Sequence, residues 1–457
     1  MTFINNQCFI KQKPLIFMTS WPKCFTGDDE GKNYTLYFIT IALVSMLIFP
    51  FLSREILFLI FAGAGVYIYI TNSNRNVINL IVSVVLLLLI SATANIYSYS
   101  LPKYIIVAAI QISTIGFTCA TIVRCKTNKD SQENTTNLQS SLALLIAGAS
   151  SAFIAGSWYA YWTSTVSYEL IFFIAVIGAI TAALFESIPS SVDRLFSMTM
   201  GSAMAMWVLA AFGYSVAPLH LLIAFFFALF LGYLAYRTNI ADISAVLSAT
   251  LMGVLIIVFS NILWFVLLLT FFILGGVFTK YKYNYKLGLG IAQEKGGVRT
   301  YENVFSNSTA ALVLAIAYGI YPQHSNLITY AFLGTVATAA GDTLASEIGT
   351  TARQTPRMIT SLKPTKTGTD GAVTSLGELA AFGGALAIGI LGAAFGFVEQ
   401  IVPAILITCA GGWGGTNIDS LLGATFQKKG YLSNSGVNFV ATATGALISG
   451  ILYLLVL

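Results

Sequence analysis

The chain has 457 residues, of which 57% are hydrophobic and only 9% charged, with a net charge of +5. Apolar runs of about 20 residues recur along it, the length selected by a hydrocarbon layer roughly 30 Å thick, so composition points to a polytopic, all-α integral membrane protein rather than a soluble enzyme. The positive charge sits in the connections between these runs, where it reports topology, and no nucleic-acid partner is expected.

In chain order, the first 33 residues are polar and carry Lys11, Lys13, Lys23 and Lys32. They contain no short apolar core followed by small residues, so no cleavable signal is expected and the first span should itself direct insertion. Hydropathy predicts about fifteen transmembrane helices, near 35–53, 56–72, 77–97, 104–123, 141–162, 168–187, 196–214, 217–236, 242–258, 261–279, 308–322, 327–346, 372–395, 402–424 and 436–456. With the N-terminus in the cytoplasm, Arg54 and Lys103 alone among the 23 Lys and Arg residues fall outside, which predicts that topology and an external C-terminus. The long cytoplasmic connections, 280–307, 347–371 and 425–435, hold most of the polar chemistry, so an active site is expected on the cytoplasmic side. The stretch 124–140 reads as a flexible surface linker.

Cys8, Cys24, Cys119, Cys125 and Cys409 are scattered without a CxxC pair and make neither a disulfide framework nor a zinc site. The NxS/T triplets at Asn33, Asn134 and Asn307 fall in predicted cytoplasmic segments and are read as chance. A composition shift near residue 235 predicts two domains, 1–235 and 236–457. Beyond it Gly and Ala rise sharply, as in GGALAIGILGAAFG (383–396), and such small-residue faces let helices approach closely in lipid.

The most informative stretch is GDTLASEIG, from Gly341 to Gly349, which places Asp342 and Glu347 where an apolar span meets its exit loop. Ionisable groups at that depth are costly unless they face protein, water or a cation. Alternating span directions put Asp342, Glu378 and Asp419, on three different helices, at nearly one depth. Asn303, Asn307, Asp242, Asn434 and Asn438 lie near the same level, giving a polar ring just inside the cytoplasmic boundary. Asp242 reads chiefly as a helix N-cap. On a continuous helix Glu347 is rotated about 140° from Asp342. It also sits at the end where the helix dipole disfavours an anion, so it needs a positive partner. The candidates are a metal ion or Arg353, Arg357, Lys363 and Lys366 in the adjoining loop.

Acids able to hold a divalent cation beside a basic, glycine-containing loop fit a metal-bound nucleotide polyphosphate, since Mg²⁺ needs only one or two carboxylates plus phosphate oxygens and water. His220 and His324 lie near the far side, and there is no HExxH, Ser-His-acid or GxxxxGK[ST] pattern, which excludes a P-loop enzyme.

From about Asn239 onward the chain resembles the domain-of-unknown-function membrane family that includes the phytyl-phosphate kinase of vitamin E synthesis. The blocks that carry the resemblance are ADISAVLSATLMG (241–253), FILGGVFTKYKYNYK (272–286), GGVRTYENVFSNS (296–308), GDTLASEIG, ITSLKPTKTGTDGAVTSLGELAAFGG (359–384), NIDSLLGATFQ (417–427) and SNSGVNFVATATGAL (433–447). GDTLASEIG with its basic loop and GT-G is also similar to the nucleotide-binding segment of dolichol and phytol kinases, which use CTP. The resemblance implies an integral-membrane kinase that converts an isoprenoid monophosphate, such as phytyl or geranylgeranyl phosphate, to the diphosphate. It also implies a phosphate and metal site lined by Asp342, Ser346, Glu347, Lys363, Lys366, Gly368, Thr369, Gly371, Asp419, Ser420 and Gln427. Two departures concern substrate identity: Asn307 is followed by Ser308 where Asn-Gly is usual, and Asp370, followed by Gly371 and Ala372, replaces the usual Asn of GTNGG. More weakly, GAITAALFESIPSSVDRLFSMTM (178–200) is similar to the closing segment of dolichol and phytol kinases, with Arg194 in place of Asn after Asp193. The first half is therefore read as a degenerate kinase-like bundle, with Glu186 and Asp193 in structural roles.

The expected mechanism has Mg²⁺ on Asp342 and Asp419, with Glu347 or Glu378 completing the shell, and Lys363 and Lys366 neutralising the transferred phosphoryl group. Asn303, Asn307, Arg353, Arg357, Asp370 and Asn438 are expected around the substrates. The expected partners are a nucleoside triphosphate, CTP favoured, an isoprenoid phosphate and membrane lipids. A CTP-dependent cytidylyltransferase acting on a lipid phosphate would use the same parts. A lipid-phosphate transporter is the second alternative, since buried acids also mark transport pathways.

Overall fold

The computed structural model of the protein describes residues 30–71, 75–96, 100–127, 137–189, 191–214, 216–292 and 297–457. The N-terminal polar stretch before residue 30, with Cys8 and Cys24, and residues 128–136 of the expected linker, with Asn134, lie outside the described residues. The architecture is all-α. Each of the fifteen apolar segments falls on a helix, and eleven helices among the described residues are long and apolar enough to cross a membrane by length and composition.

Contacts divide the chain into two compact units, Met1–Thr163 and Ser164–Leu457. In the first, α1 (Glu30–Ile48), α2 (Arg54–Ile70), α3 (Arg75–Ile96), α4 (Lys103–Gln111), α5 (Phe117–Thr127) and α6 (Leu138–Thr163) pack together, with a π turn at Ile112–Gly116 joining α4 to α5. Buried Gln111 donates through Nε2 to the Ala42 carbonyl at 2.8 Å, so its amide is satisfied by α1 rather than left bare in the apolar interior.

The second unit begins with α7 (Tyr168–Ser187), α8 (Arg194–Ala211), α9 (Pro218–Arg237) and α10 (Ile243–Phe259). The composition shift near 235 does not coincide with the division between units. The reason is that α7 is apolar on every face and is buried against α8 and α10, which draws the chain from Ser164 onward into the C-terminal unit. Asp193 caps α8, its Oδ1 accepting from the Phe196 N–H at 3.1 Å. Asp242 likewise caps α10, accepting from the Ala245 N–H at 2.9 Å and from the Ser244 hydroxyl at 2.6 Å.

There follow α11 (Ile262–Lys280), a short α12 (Tyr283–Gly288), α13 (Tyr301–Ile320), α14 (Ser325–Gly349), α15 (Ser375–Ala394), α16 (Ile401–Leu422), continued by a π turn at Gly423–Gln427, and α17 (Asn434–Val456). The centre of the unit is α14, which touches α11, α13, α15, α16 and α17 and is buried over most of its length. Its buried faces mix larger residues such as Phe332 and Leu333 with many Gly, Ala and Thr, and the small residues permit close approach of neighbouring helices. The threonines bond across the contacts: Thr335 Oγ1 donates to the Thr442 carbonyl at 2.6 Å, and Thr338 Oγ1 lies 2.9 Å from the Gly334 carbonyl and 3.3 Å from that of Gly411. The small-residue faces are therefore occupied by helix packing, while Leu447, Ile451 and Leu454 of α17 and Ile223, Phe226 and Phe230 of α9 project outward.

Candidate functional site

A cavity of about 850 Å³ opens at the end of the second unit where α14 and α16 finish and where α13, α15 and α17 begin. Its wall takes Asn303 and Asn307 from α13, Asp342 and Ser346 from α14, Glu378 from α15, Asp419 and Ser420 from α16, Gln427 from the π turn, and Asn438 from α17. The loop between α14 and α15 adds Gly368, Thr369, Asp370 and Gly371. Polar residues separated by more than a hundred positions thus meet because successive helices run in opposite directions.

The loop is a built structure rather than a loose tether. Strands β1 (Arg357–Met358) and β2 (Ala372–Val373) pair antiparallel, and the Ile359 N–H donates to the Gly371 carbonyl at 3.0 Å. Gly371 has φ of +77°, and a Cβ there would sit 2.4 Å from Ala424 Cβ and 2.6 Å from both Ala424 N and the Ser420 carbonyl oxygen. Only glycine lets the loop dock this closely on the end of α16. At the far side of the hairpin Thr374 caps α15, accepting from the Gly377 N–H at 3.0 Å and donating to the Gly349 carbonyl at 3.3 Å, which ties the start of α15 to the end of α14.

Asp342 and Asp419 both face the cavity from adjacent helices. With its amide oriented to satisfy its neighbours, Asn438 donates to Asp419 Oδ2 at 3.2 Å and to the Asn434 carbonyl at 3.3 Å. Glu378 also lines the cavity, but one of its oxygens accepts from Trp413 Nε1 at 2.7 Å and from Asn417 Nδ2 at 3.2 Å. Asn303 serves the fold as well, its Oδ1 accepting from the Thr300 N–H at 3.1 Å at the start of α13, and Asn307 Nδ2 donates to the Asn303 carbonyl at 3.0 Å.

Glu347 is placed differently from the expectation. Because α14 continues unbroken to Gly349, Glu347 is turned away from Asp342 and does not line the cavity. Among the described residues its salt-bridge partner is not Arg353, Arg357, Lys363 or Lys366. Lys286 of α12 forms a buried salt bridge with it, and the Thr279 hydroxyl donates to Glu347 Oε1 at 3.0 Å. Arg353, Arg357, Lys363 and Lys366 stand exposed outside the cavity wall, and the Arg357 guanidinium donates to the Leu362 carbonyl at 2.8 Å within the loop.

The cation that does line the cavity is Arg299, just before α13, which sequence reasoning passed over. It is 8% exposed. Burial lowers its guanidinium pKa from the ordinary arginine value, and the nearby Glu347 and Asp342 carboxylates oppose that shift. A usable signal existed: a cation immediately before a helix start opposes the helix dipole and so demands acidic neighbours. Among the described residues no three carboxylate, imidazole or thiol groups gather to hold a metal ion unaided. Two carboxylates on one wall nevertheless match the donor set of a Mg²⁺ ion that takes its remaining ligands from phosphate and water.

Comparison with known proteins identifies the family of the chain. Residues 226–446 match the family described as integral membrane protein DUF92. An uncharacterized membrane protein of Methanocaldococcus jannaschii, MJ0933, is 33% identical over 229 residues, which are 49% of this chain and 90% of that one. The chain belongs to the DUF92 family. Uncharacterized membrane protein sll0875 of Synechocystis is 32% identical over 198 residues, 42% of this chain and 76% of the relative. The chloroplastic protein VTE6 of Arabidopsis thaliana is 32% identical over 193 residues, 40% of this chain and 57% of the relative. No solved structure matches this DUF92 chain significantly. The matched region covers α10 to α16, every loop that reaches the cavity and most of α17.

Proposed function

We propose that this DUF92 protein transfers the γ-phosphoryl group of a nucleoside triphosphate, CTP favoured, to an isoprenoid monophosphate and releases the isoprenoid diphosphate. The observation that carries the reading is the wall of the cavity, where Asp342 and Asp419 stand opposite a glycine-docked loop and beside the buried guanidinium of Arg299. A volume of about 850 Å³ suits a nucleotide with its phosphates and an acceptor headgroup. The family resemblance to phytyl-phosphate kinase supports the same reaction class.

Asp342 and Asp419 would hold Mg²⁺, with Asn438 fixing the orientation of the Asp419 carboxylate. The bound ion would supply charge neutralisation on the nucleotide phosphates. An oxygen of the acceptor phosphate attacks the γ-phosphorus, the bond from that phosphorus to the β-bridging oxygen breaks, and the nucleoside diphosphate leaves. The acceptor phosphate is already ionised near neutral pH, so no general base is needed, and no histidine lines the cavity among the described residues. The N–H groups of Gly368 and Asp370 and the Ser420 hydroxyl offer donors to phosphate oxygens, with Thr369 and Ser346 beside them on the cavity wall. Lys363 and Lys366, on exposed arms of the same loop, add positive potential from outside. The isoprenoid chain stays in the bilayer. Val304 and Ser308 of α13, neighbours of Asn303 and Asn307, line a narrow apolar crevice with α9, α10 and α11 that offers it a path. The density of Lys and Arg at this end of the unit supports a cytoplasmic-facing site.

Purified protein incubated with Mg²⁺, CTP or ATP and a panel of prenyl monophosphates should yield prenyl diphosphates. A cytidine-linked lipid as the product would favour the cytidylyltransferase instead, and no nucleotide turnover with any acceptor would reject both.

A further inference from the structure

Arg299 has the attributes of an anion receptor. It is buried, it lines the cavity, and it is the one Lys or Arg among the described lining residues. Its backbone is pinned from both sides: its N–H donates to the Ile240 carbonyl at 2.8 Å, and its carbonyl accepts from the Asp242 N–H at 3.0 Å. Among the described residues its guanidinium makes one side-chain hydrogen bond, from Nη2 to Thr279 Oγ1 at a long 3.5 Å. A guanidinium has five N–H donors in a planar fork. Most of that fork is therefore unspent beside a polar cavity.

We propose that Arg299 binds the phosphate oxygens of the substrate in this cavity, and that the Lys286–Glu347 pair behind it, acting through Thr279, is what holds its guanidinium in place. The assignment rests on the reading that the cavity takes phosphate groups, and it gives the central cationic contact to Arg299 rather than to the loop lysines. A planar fork matches two phosphate oxygens at once, which an ammonium group cannot do. The place where the guanidinium lies is also specified. A Cβ added at Gly275 of α11 would sit 2.8 Å from Arg299 Nη2, so the absence of a side chain there makes the seat. Arg299 stands across from Glu347 through the Thr279 hydroxyl, which donates to Glu347 Oε1, while Lys286 engages the other carboxylate oxygen. In this arrangement Glu347, Thr279 and Lys286 are positioning residues that touch no substrate.

The test is binding of inorganic pyrophosphate, with Mg²⁺ in excess, to the purified full-length protein by calorimetry, for the wild type, Arg299→Lys and Gly275→Ala. Gly275→Ala leaves every charge in place and presses chiefly on the far end of the flexible arginine, with Thr343 Cγ2 next at 3.1 Å from the new Cβ, so it keeps the test open if the Arg299 variant does not fold. Both variants should weaken pyrophosphate binding, Arg299→Lys by at least tenfold and Gly275→Ala by severalfold. For the positioning role, Thr279→Val should raise KM for the nucleotide with a smaller change in kcat, and Thr279→Ser should restore it. Unchanged binding in both Arg299→Lys and Gly275→Ala, or no pyrophosphate binding by the wild type, would overturn the inference. Arg299-dependent binding without phosphoryl transfer would support it while rejecting the kinase reading.

Discussion

Replacing Gly371 by alanine should release the loop between α14 and α15, and Gly430→Ala supplies the control. The two glycines share nearly the same backbone conformation, with φ of +77° and +75°. An L-residue in that region costs about 1–2 kcal/mol at either position. The space around them differs. At Gly430 nothing lies within 4 Å of an added Cβ, whereas at Gly371 the new methyl meets backbone atoms of Ser420 and Ala424 at 2.6 Å, which cannot rotate away. Overpacking of that kind costs typically about 1–3 kcal/mol more. If the cost falls on local opening, the loop's open population in Gly371→Ala exceeds that in Gly430→Ala by roughly 5- to 150-fold. Hydrogen exchange read by mass spectrometry over residues 356–374 measures this, because the amides of Met358, Ile359, Thr365 and Ala372 are all hydrogen-bonded within the loop. Turnover should fall with the lost protection. Equal exchange in the two variants would refute the docking of Gly371 on α16 as the loop's anchor.

Lys286→Met removes the buried Lys286–Glu347 salt bridge and should destabilise the protein by about 3–5 kcal/mol, while Lys286→Met combined with Glu347→Leu should recover most of the loss; detergent-solubilised unfolding midpoints check both. Asp342→Asn should keep the fold and lower turnover by about 100-fold or more in a nucleotide-consumption assay, because it removes charge at the site where the reacting phosphates meet. Lys363→Ala and Lys366→Ala, at exposed positions, should raise KM for the nucleotide only a few-fold, and the difference from wild type should shrink between low and high salt.

The helical segments were legible in the sequence because the bilayer imposes one length and one composition on each span. The convergence of Asp342, Asp419, Glu378, Asn307 and Asn438 was legible for a related reason: alternating span directions convert distance from a helix end into depth. Direction around the helix was less accessible. The 140° rotation between Asp342 and Glu347 correctly indicated that they face different neighbours, yet nothing local indicated Lys286, which lies 61 residues away on a short helix outside the apolar pattern. The same limit hid Arg299. Its importance depends on Gly275 of α11 and Thr279 one turn later, a tertiary seat that hydropathy does not register. The lysines of the basic loop misled in the opposite sense, since a charged loop reads alike whether its side chains point into a cavity or into water. The hairpin built by β1 and β2 turns the Gly368–Gly371 backbone to the cavity and leaves Lys363 and Lys366 outside.

The central claim is tested most directly by following the label from γ-³²P-CTP, with Mg²⁺ and geranylgeranyl phosphate, in the presence of wild-type protein and of Asp342→Asn. The account predicts that label passes to the lipid as a diphosphate with the wild type and fails to do so with the variant. Label recovered in free pyrophosphate, or left on the nucleotide while the lipid phosphate only changes sides of a vesicle, would contradict it.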